Sequence, residues 1–228
     1  MIFGGAEPTV AAPPGLEWAG RSVAAAGADG GGDWFDLVSR PDGTVAVVVG
    51  DVMGHGDGVV ALREQLSSLS RALVAEGHDA TMVFRSLRRA TDRAGISATM
   101  MLGILDPVSG ELTLGCAGHP APVMVSPSGI QTTPISPTPP LGSGWSGPEQ
   151  WRRVELAPDA FLVAYTDGLG SSWGAIGAVA LRRLRRAVAD GASCYRLCSE
   201  ALASAPADFD DRTVLVLRRL GPAATPLG

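Results

Sequence analysis

The chain has 228 residues, 46% of them hydrophobic, and a formal net charge of −5. That length supports one globular domain with its own buried core and no need of disulfides. The acidic balance, without any basic stripe, excludes a protein that tracks a phosphate backbone, so no nucleic-acid partner is expected. All 18 basic residues are arginine, which speaks of base composition rather than of function. Cys116, Cys194 and Cys198 are too few and too oddly spaced for a disulfide framework or a zinc motif. Cys194 and Cys198 lie four apart on an expected helix, so they share a face and read as buried thiols rather than a redox pair. The N-terminus lacks a basic segment followed by an apolar one. Apolar runs such as Val45–Val49 are too short to span a bilayer. A cytoplasmic protein with no membrane partner is expected.

In chain order, residues 1–14 form a lead-in rich in Gly, Ala and Pro, residues 15–220 the domain, and residues 221–228 a tail. Glu17–Ala26 reads as a short strand and Gly27–Gly32 as a turn. Trp34–Ser39 and Thr44–Val52 read as strands joined by a Pro41-Asp42-Gly43 hairpin. The second of these is a continuous run of β-branched residues, as in a strand buried on both faces. Two helices follow. Leu62, Leu66, Leu69 and Leu73 keep helical spacing from about Gly58 to Ala75, before a stop at Gly77. The second helix runs from about Asp79 to Ala94.

Residues 98–166 turn to strands: Ala98–Leu105, Glu111–Ala117, Pro122–Val125, Trp151–Leu156 and Phe161–Tyr165, with turns at Asp106–Gly110 and Ser126–Gly129. Pro134–Pro148 is a Pro/Gly/Ser loop without periodicity, and Trp145 inside it marks a candidate docking surface or a mere connector. Helices fit Gly174–Ala189 and Ala192–Ala203, and a strand at Thr213–Arg218 closes the domain. Strands and helices come in blocks rather than in strict alternation. That order suits antiparallel sheets with helices packed outside, an α+β layered domain.

Four acidic segments stand at strand ends beside small or turn-forming residues: Gly31–Asp36, Gly50–Gly56, Tyr165–Gly168 and Asp210–Thr213. Carboxylates at strand ends, with glycine permitting close backbone approach, suit a hard cation such as Mg²⁺ or Mn²⁺. Taken singly, Thr166-Asp167-Gly168 is a turn and Asp210-Asp211 a solvated strand end. Gly50–Gly56 resists that reading, because Asp51 ends an apolar strand and places a charge beside the core, where it needs a partner. Four such sites together make the bland reading untenable. His55 and His119 read as hydrogen-bonded structural residues, and His78 as a surface residue between helices. Gly27–Gly32 is not a nucleotide-binding loop, since no Gly-Lys-Ser/Thr follows.

These segments resemble the PPM-type protein phosphatases, in particular the SpoIIE and RsbU-like branch. The resemblance rests on Gly31–Asp36 (Gly-Gly-Asp-aromatic-aromatic-Asp), Gly50–Gly56 (Gly-Asp-Val-x-Gly-His-Gly) and Ala117–Pro120 (Ala-Gly-His-Pro). Pro140–Gly142, Thr166–Leu169 and Asp210–Thr213 complete it, over about residues 15–219. It implies an antiparallel β-sandwich flanked by helices on both outer faces, in four layers. It implies two divalent cations, Mn²⁺ or Mg²⁺, with Asp51 bridging them. Asp33 and the Val52 carbonyl would hold one ion, and Asp167 and Asp210 the other, around a hydroxide that attacks phosphorus in line with the leaving oxygen.

The resemblance further implies that the substrate is a phosphorylated STAS-type anti-sigma-factor antagonist in a partner-switching pathway, and it leaves room for a homodimer or an upstream sensor domain. Three departures are visible. Val52 stands where many members have Gly, and Gly170-Ser171-Ser172 where many have an acidic residue. Residues 22–39 hold no Arg to clamp phosphate. The domain begins almost at Met1, which fits a stand-alone module or one separated from its neighbours. The alternative from another class is a catalytically weak binding module of the same fold; a metallohydrolase of small phosphate esters is a third reading.

Overall fold

The computed structural model describes residues 12–25, 31–170, 175–204 and 210–221. Ten strands form two five-stranded sheets. The first takes β1 (Leu16–Val23), β10 (Arg212–Arg219), β9 (Phe161–Tyr165), β6 (Val123–Ser126) and β7 (Gly129–Thr132), in that spatial order. The second takes β2 (Asp33–Ser39), β3 (Val45–Val52), β4 (Ala98–Leu105), β5 (Glu111–Ala117) and β8 (Trp151–Glu155). Neighbouring strands are antiparallel throughout. Helices α1 (Asp57–Ala75) and α2 (Ala80–Ala94) cover the outer face of the second sheet. Helices α3 (Ala178–Ala189) and α4 (Cys194–Leu202) cover that of the first. The result is an α+β layered domain, as the order of the segments suggested, and the four-layer α-β-β-α sandwich that the resemblance implied. No helix among the described residues is long and apolar enough to cross a membrane.

Strand parity sorts the side chains. Val45, Val47 and Val49 of β3 face the first sheet and pack with Leu112, Leu162, Leu215 and Leu217. Ala46, Val48 and Val52 of the same strand face α1 and α2 and pack with Leu62, Leu66, Phe84 and Leu87. A strand buried on both faces cannot alternate apolar with polar, which is why Val45–Val49 is continuously hydrophobic. Gly50 makes room in this strand: a Cβ there would lie 2.2 Å from the ring of Trp34, its cross-strand partner.

Local chemistry closes the elements as their residues require. Asp42 accepts from Thr44 N at 3.0 Å and Thr44 Oγ1 at 2.6 Å, and Gly43 takes φ 83° in the β2–β3 hairpin. Asp79 caps α2 by accepting from Met82 N at 2.9 Å, and Gly95 ends it in the left-handed region. Cys194 and Cys198 are buried on the inner face of α4. Their thiols donate to the carbonyls of Glu17 and Ala19 at 3.4 Å, and burial pushes the Cys198 and Cys116 thiols up to about 12.

Three expectations need correction. β7 was not expected; it is a four-residue edge strand pairing with β6, so Ser126–Gly129 is a hairpin turn with strands on both sides. Helix α3 starts at Ala178, later than Gly174, and residues 171–174 lie outside those described, as do 26–30 of the expected first strand and turn. The Pro134–Pro148 loop has structure along half its length. Thr138 bridges Ala117 and Leu141 bridges Ala98. Arg88 of α2 donates to the Pro139 and Pro140 carbonyls, to Thr138 and to Glu149, which it meets in a buried ion pair at 2.8 Å.

Candidate metal centre

The acidic segments meet at one end of the sandwich because parity and register bring them there. Asp33 and Asp51 are directly paired on β2 and β3, and both point to the interior face, in the rows of Leu37 and Val49. From the opposite sheet, Thr166 follows β9, Asp167 opens a single 3-10 turn (Asp167–Leu169), and Asp210 and Asp211 lead into β10. Asp33 is buried, Asp51 half-buried, and Asp167 and Asp210 are exposed. The centre is therefore a floor of two carboxylates from the second sheet facing a rim of carboxylates from the first.

Hydrogen bonds hold the two sides together. Thr166 Oγ1 donates to Asp33 Oδ2 at 2.8 Å and accepts from Thr213 N at 2.9 Å. The Thr213 side chain also supports Asp33 and lies 2.6 Å from Ser22 Oγ. Asp211 accepts from Gly32 N at 2.8 Å and from Ala25 N at 2.9 Å, so its carboxylate pins the β1–β2 connection. Asp210 accepts from Asp211 N. Two glycines permit the close approach. A Cβ on Gly32 would lie 2.3 Å from the Val52 carbonyl and 2.9 Å from Asp51 Oδ1; one on Gly168 would lie 1.9 Å from the Asp211 carbonyl. The Val52 carbonyl and the Asp51 carboxylate thus open onto the same space.

The electrostatics say what that space lacks. Burial, then the charges of Asp167, Asp210 and Asp211, push Asp51 up to about 7. Burial and then the Asp51 charge hold Asp33 well above the usual carboxylate range, against the hydrogen bonds from Thr166 and Thr213. Burial also raises Asp210, beyond what the Asp211 amide lowers it. Three carboxylates raised by burial and by neighbouring negative charge mark a site short of positive charge. Among the described residues no basic side chain pairs with Asp33 or Asp51, whereas Asp36, on the opposite face of β2, is paired with Arg71 and Ser67 of α1. The donors are carboxylates and a carbonyl, hard oxygens that fit Mg²⁺ or Mn²⁺. Among the described residues no three such side chains already close on one point as ligands.

The structure thus gathers Asp33, Asp51, Val52, Asp167 and Asp210, and leaves Asp36 to the helical layer. His119 is buried and hydrogen-bonded, as its place after a strand suggested. His55 departs from that reading and stands exposed on the loop before α1. His78 contacts Glu76 at 3.1 Å between α1 and α2. Thr166 and Thr213 were not singled out; the signal available was parity, which sets both on the interior face with Asp33.

Sandwich and flanking helices have the fold of PP2C-type phosphatase domains. The chain belongs to the SpoIIE family, whose description, stage II sporulation protein E, matches residues 41–220. Among solved structures it is similar to the RsbU and RsbW domains of Rv1364c from Mycobacterium tuberculosis, at 31% identity and a TM-score of 0.81 over 98% of this chain. The chain spans 65% of that one's length. The PP2C phosphatase domain of SpoIIE from Bacillus subtilis, with a fragment of its regulatory domain, shares the fold at 16% identity. Its TM-score is 0.72, covering 89% of this chain and 63% of that one. So does the catalytic domain of the phosphatase PstP in complex with two manganese ions, at 16% identity. Here the TM-score is 0.66, covering 90% of this chain and 99% of that one.

Proposed function

We propose that this chain hydrolyses phosphoserine or phosphothreonine on a protein substrate, using two divalent cations held by Asp33, Asp51, the Val52 carbonyl, Asp167 and Asp210. The observation that carries the reading is the ring of carboxylates contributed by both sheets, with Asp33, Asp51 and Asp210 raised and no basic partner at Asp33 or Asp51 among the described residues. When bound, the cations supply Lewis acidity: they acidify a water and neutralise the phosphoryl oxygens. The protein's part is placement. Thr166 and Thr213 fix the Asp33 carboxylate from the opposite sheet, and Asp211 ties down the β1–β2 connection beside it. Asp51 lies within the field of Asp167 and Asp210 and would be the carboxylate shared by the two cations. No cysteine takes part, since all three are buried thiols raised far above neutrality.

The substrate consistent with the family is a phosphorylated STAS-type antagonist of an anti-sigma factor, in a partner-switching pathway in the cytoplasm. The likeness to an RsbU domain supports it. The test is dephosphorylation of the phosphorylated STAS proteins of the source organism with added Mn²⁺ or Mg²⁺. Release of phosphate that stops on chelation is the expected outcome. Full turnover after exhaustive EDTA treatment would sink the two-cation reading, and tight substrate binding without turnover would favour a regulatory module instead.

A further inference from the structure

The Ala117-Gly118-His119-Pro120 segment has no part in the chemistry described so far, although it connects the second sheet to the first between β5 and β6. Its backbone is fastened. Gly118 bridges Met100 of β4, donates to the Thr138 carbonyl at 2.7 Å and takes φ 64°. A Cβ on Gly118 would fall 2.6 Å from Pro140, so the chain is pressed between β4 and the loop and turns His119 inward. The imidazole is 1% exposed.

Its contact reaches the Asp51 side of the carboxylate ring. Nδ1 shares a hydrogen bond of 2.8 Å with Thr99 Oγ1. Thr99 is the cross-strand partner of Asp51, on the same interior face of β4 and β3. Burial pushes the imidazole down to about 3, so it is neutral at every pH at which the protein works. Nε2 is sealed in without a partner of regular geometry. A buried unsatisfied polar atom costs about 1–3 kcal/mol. A phenylalanine would fill the space without that cost, so packing alone does not account for a histidine here.

We propose that His119 is a positioning residue of the metal centre, steadying Asp51 through Thr99. The proposal rests on the two-cation reading above. Support of this kind, from a residue behind the ligands, is typically worth about 10–100-fold in metal affinity. The hydrogen bond can be cut from either end. Asparagine at position 119 keeps a polar atom near the place of Nδ1, whereas phenylalanine keeps only the volume.

Mn²⁺ binding measured by calorimetry on the full chain, with folding checked by circular dichroism, tests it. The wild type should bind Mn²⁺. Thr99→Val and His119→Phe should each weaken binding about tenfold, with no further loss in the double variant, and His119→Asn should stay within about threefold of the wild type. A folded Thr99→Val with unchanged Mn²⁺ affinity would overturn the proposal, and this variant carries the test if His119→Phe does not fold. Additive losses in the double variant would also overturn it, because they would mean that the two residues act separately. Failure of the wild type to bind Mn²⁺ would instead overturn the cation reading beneath it.

Discussion

The two halves of the centre are built differently. Asp33 and Asp51 stand on adjacent, fully paired strands under helices α1 and α2, buried or half-buried. Asp167 and Asp210 stand on the connections of the other sheet, at the start of a 3-10 turn and just before β10, exposed to solvent. The first half carries the electrostatic cost, with Asp33 and Asp51 raised mainly by burial. The second contributes much of the repelling charge and has more freedom to adjust. A rigid, strained floor and an adjustable rim suit cations that must be held loosely and must admit a bulky phosphoprotein.

Removing the central floor carboxylate should have the largest effect. Asp51→Asn should lower turnover well beyond the about 10–100-fold typical of a merely supporting residue, and should abolish cooperative Mn²⁺ binding. The same change removes a half-buried charge that no basic side chain among the described residues pairs with. The chelated variant should therefore melt higher than the chelated wild type at pH 8, while Asp210→Asn on the rim should give a smaller gain. Equal gains in calorimetry would erase the distinction between floor and rim.

Acidity should separate the halves next. Asp51 has its carboxyl raised in the folded protein, to about 7 from 3.8. The folded form thus holds its proton more tightly than the unfolded chain does. The stability this confers is full below about pH 4 and is lost as pH rises through about 7. Asp33, raised by the same causes, adds in the same direction. With EDTA present, the melting temperature should fall between pH 5 and pH 8; saturating Mn²⁺ should flatten that slope. A chelated protein more stable at pH 8 than at pH 5 would contradict the strained floor.

Within the rim, Asp210 and Asp211 sharpen the comparison further. Asp211 is spent on the backbone amides of Gly32 and Ala25, while Asp210 faces Asp167 and Asp51. Asp210→Asn should nearly abolish activity and weaken metal binding. Asp211→Asn should keep measurable turnover at saturating Mn²⁺, within the about 10–100-fold loss of a supporting residue. The reverse order would move the ligand to Asp211.

The floor was more legible in the sequence than the rim. Val45–Val52 announces a doubly buried strand, and a charge at its end is conspicuous. Its neighbours Trp34 and Gly50 fit each other across the hairpin as their spacing about Pro41–Gly43 requires. The rim depends on strands distant in sequence. Asp167 and Asp210 meet because β9 and β10 pair, with Tyr165 opposite Val214, and no local pattern states that pairing. The hydroxyl bridge from Thr166 and Thr213 to Asp33 crosses from one sheet to the other, so it becomes visible only once both sheets exist. β7 escaped for a different reason: four residues at a sheet edge, half-exposed or exposed and opening on glycine, carry too little pattern to register.

Trp145 should give the smallest effect, and it tests whether substrate recognition belongs to the structured loop beside the floor. The loop is fixed by the bridges of Thr138 and Leu141 and by Arg88, and Leu141 pairs with Ala98, which itself pairs with Val52. Its anchored part therefore lies along the metal end of β4, and the residues after Leu141 project from there. Trp145 remains 39% exposed with its ring folded over Gly147, where a Cβ would fall 2.2 Å from it. A large, partly exposed aromatic on an anchored loop has little further ordering to do on contact, which favours a modest docking contribution. Trp145→Ala should raise KM for the phosphoprotein about fivefold, about 1 kcal/mol, and leave a small phosphate ester unaffected. The anchors of the loop lie elsewhere, so the melting temperature should hardly move. Equal changes with both substrates would mean that the tryptophan acts through the fold; recognition would then have to be sought on the rim.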